Sequence, residues 1–345
     1  SLLGCEPWDI TEIRGADELY EAGGIIAQSE ANATRLFGTA HTYYSTEGSS
    51  QCIRAMLCLA LQGAPRTGKR PVLLAARNAH KALLYAAALL DFDIRWLWPA
   101  PEDTGALCSC PVTVQALSAA LEELAGQERT PFGVYLTSPD YLGGMQDIAA
   151  LSAVCDAHGV PLLVDNAHGA YLRFLPGGSR HPIDLGAAAC CDSGHKTLPV
   201  LTGGAYLHLG PKASVQEEST VRSALALFGS TSPSYLILQS LDACNRLLST
   251  DYPARLQECC DRLAALRARL NALAAAQGTA LPLALDGPAR EPMKLTLDAA
   301  ALGLTGQALA DHLRQNGMEC EYADPRYLVL MFTPENPVED MARLE

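Results

Sequence analysis

Only five lysines occur in the sequence: Lys69, Lys81, Lys196, Lys212 and Lys294. Chemistry that needs an amine nucleophile therefore has few candidates. Lys196 stands out, because it follows the short apolar run Ala187 to Asp192 and precedes the apolar Leu198 to Leu201. A surface lysine with its stem laid along apolar neighbours is the bland reading. In a desolvated site, however, a lysine gives up its proton more readily and attacks aldehydes. Asp165 ends the continuous apolar run Val160-Pro-Leu-Leu-Val-Asp165. Its carboxylate is expected at a partly buried edge, where it needs a donor or a cation; a helix N-cap is the competing role. An acid at one strand end and an amine at another is the pairing that pyridoxal phosphate (PLP) requires. The amine forms a Schiff base, and the carboxylate keeps the pyridine nitrogen protonated.

Two further features suit that cofactor. Gly48-Ser49-Ser50 stands at a predicted helix start, where N–H groups and the positive dipole end face a phosphate; Gly and Ser also serve there as ordinary caps. His80 opens another predicted helix. Its ring is placed either to cap that helix, to sit satisfied in the core, or to stack on a cofactor.

The elements that must position these residues alternate between helix-like and strand-like periodicity. Helices are predicted over 49–62, 80–90 and 147–158, and strands over 71–75, 132–137, 160–165 and 187–192. A continuous apolar strand such as 160–165 is the kind buried on both faces of a parallel sheet. The alternation predicts an α/β fold with a mostly parallel sheet, helices on its faces, and ligands bound beyond the carboxyl ends of the strands. Near residue 250 the pattern changes. A long Ala/Leu/Arg helix over 256–277 is followed by short elements at 293–297 (strand), 306–316 (helix), 318–322 and 327–332 (strands). The expected division is a large domain over 1–250 and, over 251–345, a connector helix with a small α+β domain. Arg262 to Arg269 is read as a solvated helix face, Trp96 and Trp98 as core or interface, and 116–125 as an amphipathic helix.

Composition bounds the rest. The chain has 345 residues, with 49% hydrophobic and 18% charged, which is globular rather than disordered. The net charge of −13 argues against a binder of phosphate backbones. Twelve cysteines, single or in adjacent pairs, are read as small buried hydrophobes in a reducing compartment rather than as disulfides. Cys108-x-Cys110 is too tight for a zinc knuckle, and no metal is expected. There is no apolar run long enough for a membrane span and no signal peptide, so a cytoplasmic location is expected. The chain begins without Met, and both ends are expected to be shortened.

In order along the chain stand Arg77-Asn-Ala-His-Lys81, Ser138-Pro-Asp-Tyr-Leu-Gly143, Val164-Asp-Asn-Ala-His-Gly169, Ser193-Gly-His-Lys-Thr-Leu-Pro199 and Ser230-Thr-Ser-Pro-Ser-Tyr235, with Asp9-Ile-Thr-Glu12 before them. From about residue 7 to the end, the sequence resembles the Orn/Lys/Arg decarboxylase family. These are fold-type-I PLP enzymes with an aspartate-aminotransferase-like large domain. The resemblance implies that Lys196 carries the cofactor, Asp165 pairs with its pyridinium and His80 stacks on its ring. It further implies that Gly48, Ser49, Ser50, Ser193 and His195 hold the phosphate, and that His168 lies near ring and substrate. Ser230, Thr231 and Ser232 would reach the phosphate of a neighbouring subunit, implying a homodimer with shared sites. The implied reaction is decarboxylation of lysine, ornithine or arginine to the amine, as in polyamine biosynthesis, with Lys196, Asp165 and His168 as the catalytic set.

The chain departs from the family pattern at Glu47, Asn166 and Gly203, and Glu47 is unfavourable near a phosphate unless it points away. Because the same acid–lysine pair serves other chemistry, an aminotransferase or lyase is the alternative enzyme reading. A PLP-binding regulatory dimer without turnover is the third.

Overall fold

The computed structural model describes residues 2–66, 68–103 and 106–345. The chain forms two compact units, residues 1–138 with 146–250, and residues 139–145 with 251–345.

The first unit carries strands β1 (His41–Ser45), β2 (Val72–Ala76), β3 (Asp93–Leu97), β4 (Val134–Thr137), β5 (Leu162–Asp165), β6 (Ala189–Asp192) and β7 (Ala205–Leu209). Its helices are α1 (Ile25–Phe37), α2 (Gly48–Gly63), α3 (Lys81–Leu90), α4 (Val114–Gly126), α5 (Ile148–Ala157), the single turn α6 (Gly194–Thr197), α7 (Glu218–Leu227) and α8 (Tyr235–Leu248). The strands make one sheet in the order β1-β7-β6-β5-β4-β2-β3. Pairing is parallel from β6 through β3, whereas β7 is antiparallel to both β6 and β1. The α/β class and the mostly parallel sheet are therefore as the sequence predicts.

Both faces of the sheet are covered, which is why its central strands read as unbroken apolar runs. Successive side chains point to opposite faces. Leu73, Tyr135, Leu163, Cys191 and Leu207 pack with residues of α2, α3 and α7. Their neighbours Leu74, Leu136, Val164 and Cys190 pack with residues of α4 and α5. Cys190 and Cys191 thus lie on opposite faces, and all twelve thiols are free.

The second unit holds α9 (Tyr252–Ala276), β8 (Lys294–Asp298), α10 (Gly306–Gln315), β9 (Tyr322–Ala323), β10 (Tyr327–Met331) and α11 (Val338–Ala342), with an antiparallel sheet in the order β8-β10-β9. Two expectations change here. The strand predicted at 318–322 shrinks to β9, although Met318, Cys320 and Tyr322 alternate with exposed glutamates as a strand would. Arg267 is buried rather than solvated: its guanidinium donates to the carbonyls of Pro292 (2.7 Å) and Lys294. Elsewhere Trp96 packs on the core while Trp98, just past β3, is exposed. Among the described residues no helix is long and apolar enough to cross a membrane.

Candidate active site

The parallel strands end at one edge of the sheet, and the chemistry-bearing residues follow those ends. Asp165 is the last residue of β5, Asp192 the last of β6, and Lys196 sits on α6 four residues later. His80 lies between β2 and α3, and Ser49 is the second residue of α2.

Asp165 is buried, with three donors on its carboxyl. Tyr135 Oη donates to Oδ2 at 3.0 Å, the Ala167 N–H to Oδ1 at 3.2 Å, and Cys191 Sγ lies 3.7 Å from Oδ1. Burial, then the Asp165 charge, pushes the pKa values of Tyr135 and Cys191 well up, so both keep their protons and act as donors. The Ala167 contact is a local turn; the capping geometry and the site geometry coexist in one residue.

Lys196 is half-buried, and its Nζ lies 3.1 Å from Nε2 of buried His168. An ammonium only donates, so Nε2 is the acceptor whenever Lys196 is charged. His80 caps α3, its Nδ1 accepting the Ala82 N–H at 3.2 Å, which leaves the ring proton on Nε2. Much of its surface is open to solvent. Partial desolvation of the ring still lowers its pKa, opposed by the Asp165 charge.

At the other end of the site, Gly48 takes φ +71°, a backbone that favours glycine. Its N–H donates to the Gly203 carbonyl at 2.7 Å. Gly203 itself has φ +100°, and a Cβ there would stand 2.7 Å from the Thr46 carbonyl oxygen. The departure at Gly203 therefore has a steric reason. Ser49 and Ser50 begin α2, where N–H groups have no intrahelical acceptor. Ser193 Oγ donates to Ser49 Oγ at 2.9 Å, joining the β6 end to this helix start. His195 Nδ1 donates to the Gly204 carbonyl at 3.0 Å, and burial lowers its pKa. Glu47 turns its Oε1 to the Ser230 N–H at 2.8 Å. The segment holding Thr231 and Ser232 therefore leaves from a point tethered beside α2, with the Ser232 N–H on Ser230 Oγ at 3.1 Å.

One amine, one buried carboxyl, an open imidazole and a hydroxyl-rich helix start are the donor set that PLP takes, and the residues fit it. Sequence reasoning missed Tyr135, which looks like an ordinary strand residue, and gave Asp192 no role beyond opening the polar segment 192–196. It read Asp9 as part of a motif without a role. Asp9 Oδ1 accepts the Tyr235 N–H at 2.8 Å and the Ser234 hydroxyl at 3.1 Å, capping α8 from a distance.

The chain is 27% identical over 339 residues to an arginine decarboxylase of Bacillus subtilis, covering 97% of this chain and 66% of that protein. It is 28% identical over 329 residues to the uncharacterized protein YaaO of the same organism, covering 94% and 64%. The chain thus spans just under two thirds of the length of these relatives. The solved structure of the E. coli constitutive lysine decarboxylase superposes with a TM-score of 0.79 at 19% identity, over all of this chain and 55% of that one. The fold is that of the fold-type-I PLP enzymes. Residues 7–340 match the family described as Orn/Lys/Arg decarboxylase, major domain, and the chain belongs to that family.

Proposed function

We propose that this chain binds PLP and decarboxylates a basic amino acid (lysine, ornithine or arginine) to the corresponding amine. The observation that carries the reading is the meeting of Lys196 Nζ with His168 Nε2 at 3.1 Å, at the strand edge where Asp165 is held by three donors. When bound, the cofactor supplies the electron sink for the pair released as a bond at the substrate α-carbon breaks.

The chain's own residues do the rest. Lys196 would hold the cofactor through its amine, the group that a substrate amine would displace. Asp165, oriented by Tyr135 and Cys191, keeps the proton on the ring nitrogen, as a preorganised charge. His80 offers its open ring face for stacking. Gly48, Ser49, Ser50, Ser193 and His195 take the phosphate, with α2 directing its positive end toward it. Lys196 and His168 share a proton, and one of the two would deliver it to the substrate α-carbon in place of the departing carbon dioxide. Ser230, Thr231 and Ser232 serve the phosphate of a second copy, making the working form a homodimer.

Two measurements test this. Borohydride reduction followed by peptide mapping is expected to find the cofactor fixed to the peptide containing Lys196. Carboxyl-labelled lysine, ornithine and arginine are expected to release labelled carbon dioxide from at least one of the three. Lys196→Ala should abolish both signals. Full turnover in that variant, or amine transfer without carbon dioxide, would overturn the proposal.

A further inference from the structure

We propose that Asp192 is a positioning residue, the hub of a buried network that holds the β5 and β6 ends so that Asp165 and Ser193 meet the cofactor correctly. The inference rests on the cofactor reading above.

Asp192 is completely buried, and three nitrogen donors and one thiol meet it, with Cys190 Sγ 4.0 Å from Oδ1. Asn166 Nδ2 donates to Oδ1 at 2.6 Å. His181 Nε2 and His208 Nε2 both donate to Oδ2, at 3.0 and 3.2 Å. His208 Nδ1 in turn accepts from Thr42 Oγ1 at 2.8 Å, and Thr42 Oγ1 meets Thr39 Oγ1 at 2.7 Å. The side-chain chain therefore links strands β1, β7 and β6 and the residue that follows β5, in addition to the backbone ladder.

Its place in the sheet matters. By strand alternation Asp192 shares the Cys190 face, which packs on α4 and α5. Asp165 shares the Leu163 face, where α2 and α3 pack. The network thus lies behind the sheet from the carboxyl it serves. It acts through chain neighbours: Asn166 directly follows Asp165, and Ser193, bonded to Ser49, directly follows Asp192. Phe37 packs on both imidazoles, with ring centroids 5.7 Å from His181 and 4.5 Å from His208, and Tyr206 stacks on His208 at 5.6 Å. With water excluded, a carboxylate accepting three donors is rigid. Burial alone would raise the Asp192 pKa, but His181 and then His208 outweigh it and hold the carboxyl well below its ordinary range.

A metal is the competing use of these atoms. His181, Cys190 and Asp192 ligand atoms lie within 4.8 Å of one another. The short His–Asp contacts are already hydrogen bonds, however. Burial also pushes the Cys190 thiol well up, away from the thiolate that a metal needs.

The test titrates apo protein with PLP, following the visible absorbance and its pH midpoint, and melts the apo protein in parallel. Asp192→Asn places an amide N–H against one of the donors; it is expected to weaken PLP binding at least tenfold and to move the pH midpoint. Asn166→Ala, which keeps the carboxylate, is expected to weaken binding about fivefold and carries the test if Asp192→Asn does not fold. Leu121→Ala, in the α4 core, is expected to lower the melting temperature yet leave PLP affinity within twofold. Wild-type affinity and an unmoved pH midpoint in both network variants would overturn the inference, whatever their melting temperatures. So would one equivalent of zinc in the wild-type protein that is lost in Asp192→Asn. Absence of PLP binding by the wild type would instead bring down the cofactor reading, and this inference with it.

Discussion

At the scale of residues, the site depends on side chains that touch no reactant. Asp165 can be placed from the sequence, but its orientation comes from Tyr135, one strand away. A hydrogen bond to a charged group contributes about 1.5–3 kcal/mol. Tyr135→Phe removes the hydroxyl while keeping the ring that packs on the α2 and α3 side. Cofactor affinity in that variant is expected to fall about tenfold, with only a small change in apo melting temperature. An absorbance titration beside a thermal melt measures the split; unchanged affinity would show that Asp165 needs no such support. Lys196 and His80 stood out because lysine and histidine are scarce and these two follow apolar runs, whereas His168 was singled out only by the family resemblance. Tyr135 was not, because an aromatic residue inside a buried strand ordinarily means packing.

At the scale of elements, short segments decide where the site groups sit. The sequence marks α2, α3 and α5 clearly, and the structure begins each within a residue or two of its predicted start. It does not mark β1 or β7. His41–Ser45 is half polar, and β7 carries His208 next to its last residue, so neither reads as a buried strand until the partner across the sheet is known. The loop before β7 supplies the backbone acceptor for Gly48. There, Gly203→Ala would force a side chain into a left-handed backbone and against the Thr46 carbonyl. The expected cost is more than about 1 kcal/mol, visible as a lower melting temperature and weaker PLP binding together. A variant that melts and binds like wild type would show that the loop has another conformation available.

At the scale of the whole molecule, buried titratable groups give stability a pH dependence with two opposing arms. Burial, only partly offset by Arg222, pushes the Glu30 carboxyl up to about 7 from its ordinary 4.5. The folded protein therefore binds a proton that the unfolded chain has released, and stability from Glu30 is lost as pH rises from about 4.5 through about 7. The integrated effect is on the order of 3 kcal/mol. Burial lowers the pKa of His208. The unfolded chain then takes up a proton that the folded one refuses, so that contribution is lost as pH falls below about 6.5. Denaturant midpoints from pH 5 to 8 should follow both arms. Glu30→Gln is expected to remove the falling arm, and His208→Gln to flatten the rising one, to which His80 and His195 also contribute. Parallel curves for wild type and Glu30→Gln would show that Glu30 does not titrate in this range.

The sequence alone determined the α/β class, the order of the central strands along the chain and the motif residues at their ends. These are local signals: apolar periodicity and rare chemical groups after strand ends survive without knowledge of the partner. Only the tertiary structure decided that Glu47 turns to Ser230, that Arg267 is buried, and that Asp192 gathers two histidines and an asparagine from distant segments. A polar side chain looks the same in sequence whether it meets water or a buried partner. What separates the two is which strands the sheet brings together, and that pairing is non-local.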